Sequence, residues 1–341
     1  MSSTVLLTGV TGYIGAQLVE PLLKRGYTVR ALTRSAGKLA DAPWADRVEV
    51  VEGDATKDAD LDRALDGVDV AYYLLHSMDG EGDFRARDRR LAQQFTDAAA
   101  RAGVGRIVYL GGLHPRDEEL SEHLASRKEV GEVFLAGPVP AACLQAAVIL
   151  GDGSASFDML RYLTERLPAM VAPRWLRNRI QPIAVDDAVF YLVGAAELPP
   201  EVDRTFDIGG PEVLTYADMM QRFAKVTGRR PRIVVTLPVL TPGLASHWVG
   251  FVTPVSAGVA KPLVGSLIHE VVRSETDLDG YTGLPEGGLT GFDDAVRAAM
   301  RHAEPSPGPG GVAVGGVVLG AAAAAGAVAG VLDAVRSRRK S

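Results

Sequence analysis

Short apolar runs alternate with longer segments of helical period from the first residues onward. The runs at 4–8, 28–33, 48–51, 68–74, 106–110 and 141–148 are rich in Val, Leu, Ile and Tyr and read as buried strands. Between them lie amphipathic stretches such as 84–102, where Leu91, Phe95, Ala98 and Ala102 fall on one face and Gly103 supplies a stop. This alternation predicts an α/β fold with a doubly wound parallel sheet of the Rossmann type. After about residue 150 the pattern loosens. Residues 159–167, 186–197 and 215–227 read as helices and 205–208 as a short strand, so a smaller, mostly helical C-terminal lobe is expected. The division predicted is a first domain over 1–150, with strand and helix returns from 180–210, a lobe over 151–304 and a tail over 305–341.

Two stretches depart from this pattern. Residues 233–260 contain no Asp, Glu, Lys or Arg, and Pro238, Pro242 and Pro254 prevent one straight helix. A buried helical subdomain is the plain expectation, and an apolar lid or membrane-facing surface over a greasy ligand the alternative. PSPGPG at 305–310 then reads as a linker before 22 uncharged residues, 311–332, and a basic end. As a helix these would measure about 33 Å, enough for a bilayer core. Small residues spaced by four (Gly311/Gly315, Gly316/Gly320, Gly326/Gly330) suit close packing in lipid. Against a span, 14 of the 22 residues are Gly or Ala, and Arg336, Arg338, Arg339 and Lys340 would lie outside, contrary to the positive-inside tendency. The reading taken is a cytoplasmic protein tethered to the inner face of the cell membrane through 311–332, with a flexible tail as the alternative.

Composition narrows the class. An apolar share of 47% supports a sizeable core, and 36 basic against 42 acidic residues leave a net charge of −6, which argues against a nucleic-acid surface. Cys143 is the only cysteine, set in PAACLQAAVIL, so it reads as a core thiol in a reducing compartment. The N-terminus MSSTVLLTG has no basic region and enters a strand at once, so no signal peptide is expected. No metal is expected.

Candidate chemistry begins at VLLTGVTGYIGAQLVEPLLKRG. A strand enters Thr8-Gly9-Val10-Thr11-Gly12-Tyr13-Ile14-Gly15 and a helix follows directly. Gly9 allows the tight turn, Gly12 the approach of a pyrophosphate and Gly15 close helix–sheet packing, while the helix N-terminus offers N–H groups and a positive dipole end. Dinucleotide binding follows. The next strand, TVRALTR, ends in Arg34 where an acidic residue would take the ribose hydroxyls of NAD, so NADP(H) is expected over NAD(H). Asp54 in VEGDAT sits at the carboxyl edge of the sheet, either to accept from the adenine amine or as a turn residue.

With these motifs the chain resembles the short-chain dehydrogenase/reductase superfamily. TGVTGYIG resembles the fingerprint of its extended and atypical branches, VEGDAT its adenine-contact segment, QPIAVDDA (181–188) its PIHVDDVA motif and FDIGGPEVLTYADMM (206–220) its C-terminal lobe. The chain is most similar to atypical NmrA-like NAD(P)H-binding proteins of the YbjT-like group. The resemblance implies that Gly9, Gly12 and Gly15, with Thr8, Thr11, Tyr13 and Ile14, hold the pyrophosphate. It further implies that Arg34 takes the 2′-phosphate, Asp54 and Ala55 the adenine, and LLHSM (74–78), through Leu75 and His76, the nicotinamide ribose. Active relatives end the fifth strand in serine and follow it with YxxxK. Here that strand ends in Gly111 and Gly112, and aligning the lysine on Lys128 puts Leu124 in the tyrosine's place. Lys128 is then expected on the cofactor ribose, as the weak remaining catalytic candidate.

Carbonyl reduction needs a positioned acid, worth about 10²–10⁴-fold, which Leu and Gly cannot supply. Tyr109, His114 and His76 are the nearby polar groups, and none forms a motif. The expected function is an oxidoreductase using NADPH on a lipophilic or quinone-like small-molecule acceptor, which needs little acid help. Its alternative is a non-catalytic NADP(H)-binding redox sensor or assembly factor. An epimerase or sugar-nucleotide enzyme is weakened by the same missing tyrosine.

Overall fold

The computed structural model describes residues 3–76, 83–115, 119–237 and 265–301. Six strands of the first half, β1 (Thr4–Thr8), β2 (Thr28–Thr33), β3 (Glu49–Glu52), β4 (Val70–Tyr73), β5 (Arg106–Gly112) and β6 (Ala141–Ala146), pair in parallel. A strand from the second half, β11 (Arg204–Ile208), adds to the far edge beside β6, giving the order β11-β6-β5-β4-β1-β2-β3. The strand order reverses at β1 and β4, which opens a crevice beyond the carboxyl ends of these two strands.

Period-two alternation decides which residues meet which helices. Val5 and Leu7 of β1, with Val70 and Tyr72 of β4, join the core under α1 (Tyr13–Lys24) and α6 (Val185–Ala195). Leu6, Ala71 and Tyr73 join the opposite core under α2 (Asp58–Leu65), α3 (Phe84–Ala102) and α4 (Glu122–Leu135). In that second layer Tyr73 meets Phe95 and Phe134 with ring centroids at 5.1 and 5.0 Å, in edge-on geometry that favours aromatic pairs. α3 ends at Gly103, whose φ of 71° is the left-handed conformation a helix stop requires.

The lobe is built from short pieces. β7 (Ile149–Leu150) pairs with β10 (Ile183–Ala184), β8 (Ala169–Pro173) with β13 (Ile233–Leu237), and β9 (Arg179–Ile180) antiparallel with β12 (Leu214–Thr215). Around them α5 (Ala155–Arg166), α7 (Tyr216–Val226) and α9 (Phe292–Met300) bury a separate core that includes Phe157, Tyr216, Phe223 and Phe292, while α8 (Asp277–Thr282) packs Leu278 into the core under α1 and α6.

Boundaries differ from expectation where local chemistry is ambiguous. The run 141–148 breaks after Ala146, and β3 starts one residue later than the apolar run. The uncharged stretch from 233 begins as a strand, as its β-branched Ile-Val-Val-Thr favours, and it exposes Ile233 (63%) and Val235 (51%) instead of burying them in a helix. Residues 238–260 of that stretch, and the tail with 311–332, lie outside the described residues. Among the described residues no helix is long and apolar enough to cross a membrane.

Candidate functional site

The glycine turn between β1 and α1 is shaped by contacts that exclude side chains. Gly9 has φ 69° and its carbonyl accepts from Gly12 N at 2.8 Å. A Cβ on Gly15 would lie 2.3 Å from that carbonyl oxygen, and one on Gly9 would lie 2.8 Å from Leu74 O. Thr8 is fully buried; its hydroxyl donates to Tyr72 O at 2.8 Å and accepts from Leu74 N at 3.1 Å, locking β1 to β4 at the crevice. Gly12 caps α1 in an extended conformation with no side chain over the helix end, so the N-terminal dipole faces the crevice.

Beyond this turn lies a cleft of about 370 Å³. It brings together Thr8, Gly9 and Thr11 of the turn, Arg34 after β2, Asp54 and Ala55 after β3, and Leu75 and His76 after β4. Two further cations line it that the sequence did not single out, Lys38 and Arg87. Lys38 stands four residues beyond Arg34 in a 3₁₀ turn, a spacing that could have flagged it; Arg87 comes from the first turn of α3, remote in sequence. The cleft therefore concentrates positive charge beside Asp54. That carboxylate accepts from Thr56 N at 2.9 Å, and this bond, aided by Lys57 and Arg34, holds it below the usual carboxylate range. Asp54 is thus both the turn residue and a wall of the cleft.

Five of the expected contacts, four of them in the glycine turn and the fifth Lys128, do not line the cleft. Gly12 and Gly15 shape it from behind. Ile14 packs on the core, and Tyr13 lies against Gly151, its buried hydroxyl without a hydrogen-bond partner among the described residues. Burial and three nearby aspartates push that phenol well above its ordinary range.

The region after β5 differs more. A Cβ on Gly112 would come within 2.9 Å of Leu124 Cδ2, so Leu124, 3% exposed, fills the space that a serine and tyrosine would share. Lys128 is exposed and pairs with Glu132 one turn along α4, lining neither cavity. The side chains that turn inward stand one residue earlier. Arg127 lies 5.9 Å from the Tyr109 ring centroid, and its carbonyl accepts from the Tyr109 hydroxyl at 3.2 Å. His123, four residues before it, is largely buried, and burial together with the Arg127 and His76 charges holds its imidazole down to about 3. At neutral pH this ring is uncharged and carries one N–H donor.

His123 lines a second, smaller cavity of about 70 Å³, walled by Gly112, Leu113, Leu124, Ala146, Val148 and Met159 and closed by Tyr216, Leu267 and Val271 of the lobe. The cleft takes in Leu75 and His76 beyond β4 and this cavity Gly112 and Leu113 at the end of β5, so both lie at the carboxyl ends of neighbouring strands. The other expected polar groups are engaged. Tyr109 is buried and pushed up to about 12; His114 contacts Gln145 Nε2 through Nε2 at 3.2 Å and Pro115 O through Nδ1 at 3.1 Å. Cys143 is buried, with its thiol pushed up to about 12 by burial. Among the described residues no cluster of His, Cys, Asp and Glu is arranged to hold a metal.

Comparison with known proteins agrees with this geometry. The family described as NAD(P)H-binding matches residues 9–149. The chain is 28% identical over 268 residues to ceramide reductase of Caulobacter vibrioides, covering 75% of this chain and 82% of that one. It is 28% identical over 233 residues to (4-alkanoyl-5-oxo-2,5-dihydrofuran-3-yl)methyl phosphate reductase of Streptomyces griseus, covering 66% and 74%. Triphenylmethane reductase of Citrobacter sp. has the same fold, with a TM-score of 0.69 at 18% identity over 88% of this chain and 99% of that one. The same enzyme complexed with NADP(H) superposes with a TM-score of 0.67.

Proposed function

We propose, from the premise that the chain is an atypical member of the short-chain dehydrogenase/reductase superfamily with an NAD(P)H-binding domain, that it is an NADPH-dependent reductase of an apolar acceptor. The observation that carries this reading is a cation-rimmed dinucleotide cleft beyond β4 and a mostly apolar cavity at the end of β5, its neighbour in the sheet. The cleft fits the cofactor. Gly9 and Gly15 leave a cradle that any Cβ would fill, and Arg34, Lys38 and Arg87 supply the charge a 2′-phosphate requires. NADPH, when bound, supplies a hydride. The chain's own residues hold the pyrophosphate at the α1 N-terminus, keep water from the reacting face with Leu113, Leu124 and Met159, and among the described residues offer Gly112 and Leu124 where a serine and tyrosine would stand. Acceptors that spread the charge they gain, such as quinones, or that present an oxo group on an apolar chain, suit such a site. The relatives named a ceramide reductase and a (4-alkanoyl-5-oxo-2,5-dihydrofuran-3-yl)methyl phosphate reductase support a reductase. The missing serine and tyrosine equally favour a second reading, a cofactor-binding protein without turnover.

Mixing the purified protein with NADPH and a panel of quinones and long-chain ketones tests the choice. Cofactor oxidation above background is expected, and its absence across the panel leaves only the second reading. Arg34→Asp should weaken NADPH at least tenfold while changing NADH less than threefold; equal losses would remove the 2′-phosphate assignment.

A further inference from the structure

Tyr216 raises a question that the cofactor cleft does not answer. It opens α7, its side chain is 1% exposed, and its hydroxyl has no hydrogen-bond partner among the described residues. An unsatisfied buried hydroxyl costs about 1–3 kcal/mol, so a fold keeps one where something else completes it. Tyr216 borders the cavity of about 70 Å³ that also takes in His123, and that cavity is otherwise mostly apolar, with Ser156 and Ser266 as its remaining side-chain hydroxyls. The two aromatic polar groups come from different halves of the chain, His123 from the first turn of α4 and Tyr216 from the lobe. Both side chains line one small cavity, so a single small ligand can reach both.

We propose that His123 and Tyr216 together form the oxygen-binding site for the acceptor, each donating a hydrogen bond to one oxo group whose apolar chain lies along Leu113, Val148 and Met159. This assignment rests on the reductase reading and names the class of acceptor, an oxo group carried on an unbranched apolar chain. It also accounts for the β5 end: with Gly112 against Leu124, no hydroxyl can come from the sheet edge, and the donors come instead from α4 and the lobe. A neutral imidazole beside an arginine suits the task, because it donates to an oxygen gaining charge without itself needing a counter-ion. Arg127 is a positioning residue here, fixed over the Tyr109 ring.

The test uses the full chain loaded with NADP⁺ and 2-pentanone as the probe, with binding read by calorimetry. Tyr216→Phe should weaken 2-pentanone about tenfold. His123→Leu should do the same, and His123→Gln, which restores an N–H donor, should recover most of the loss. Binding of NADP⁺ should move little, and thermal stability without the ligand should not fall and should rise in Tyr216→Phe as the unsatisfied hydroxyl is removed, which separates a ligand contact from a folding defect. Equal binding by wild type and both variants overturns the proposal, as does no binding by wild type. A more stable Tyr216→Phe with unchanged 2-pentanone affinity also overturns it, because the hydroxyl would then be a buried polar group that the acceptor does not complete. The reductase reading fails separately: if the variants lose 2-pentanone as expected while no acceptor oxidises NADPH, the oxygen site stands and turnover does not.

Discussion

At the scale of single residues, one ring carries a measurable consequence. His123 faces Arg127 on its own helix and His76 from the β4 loop, and His269 lies near the same helix start, accepting from Ser121 N at 3.3 Å. Burial and the two neighbouring charges hold its folded-state pKa near 3, below its ordinary value of 6.5. Between those values the unfolded chain binds the proton and the folded chain does not, so stability must fall as pH drops from about 6.5 toward 3. The slope from this one group is at most about 1.4 kcal/mol per pH unit. Urea unfolding of wild type and His123→Gln across pH 4–7 should show a stability difference that narrows or reverses in the mutant's favour as pH falls. Parallel curves would mean that the imidazole is no less basic in the fold than in water. The same depression keeps His123 neutral through the working range, so acceptor binding should not change between pH 5.5 and 8 on its account.

At the scale of elements, the sheet and its helices were legible because period two and period 3.6 are strong signals over long segments. The stretch 84–102 is a helix at those bounds, stopped by Gly103. The helix after β5 was harder to phase. Its buried positions include Ser126 and Gly131, while Lys128, adjacent in phase to Leu124, is exposed. An apolar pattern that weak does not reveal which frame faces the crevice, and Lys128, assigned to the cofactor ribose by resemblance, pairs with Glu132 instead of lining the cleft. Long-range ties were equally invisible. Arg106 at the start of β5 is 3% exposed and donates to the carbonyls of Val202 (2.8 Å), Pro199 (2.6 Å) and Leu198 (3.3 Å). These acceptors lie between α6 and β11, so the guanidinium fastens the returning chain to the sheet edge, although burial lowers its own pKa. Arg106→Met should leave the three carbonyls unpaired and lower stability by about 2–4 kcal/mol, read as a shift in urea midpoint. A change below about 0.5 kcal/mol would mean that water replaces the guanidinium without cost.

At the scale of the whole molecule, cofactor and acceptor depend on different parts of the chain. Every residue of the dinucleotide cleft precedes Leu91 or is Leu91 itself, whereas the oxygen cavity needs Tyr216, Leu267 and Val271 to close it. What holds that far wall is a set of carboxylates that reach across the lobe. Asp187, 3% exposed at the start of α6, accepts from Thr290 N at 2.7 Å and Thr290 Oγ1 at 3.1 Å. Glu212 accepts from Phe292 N at 2.7 Å, and Arg222 bridges Glu212 to Asp293. Together they seat α9, whose Phe292 and Val296 pack in the same core as Tyr216. Removing the Asp187 carboxylate leaves the Thr290 N–H unpaired, at a cost of about 1–3 kcal/mol, and loosens α9 without touching the glycine turn. Asp187→Ala should therefore speed chymotryptic cleavage at Phe292, weaken 2-pentanone binding severalfold, and leave NADPH affinity within twofold of wild type. A parallel loss of NADPH would show that the two sites share one cooperative scaffold, since a wall that governed both could not be loosened for the acceptor alone.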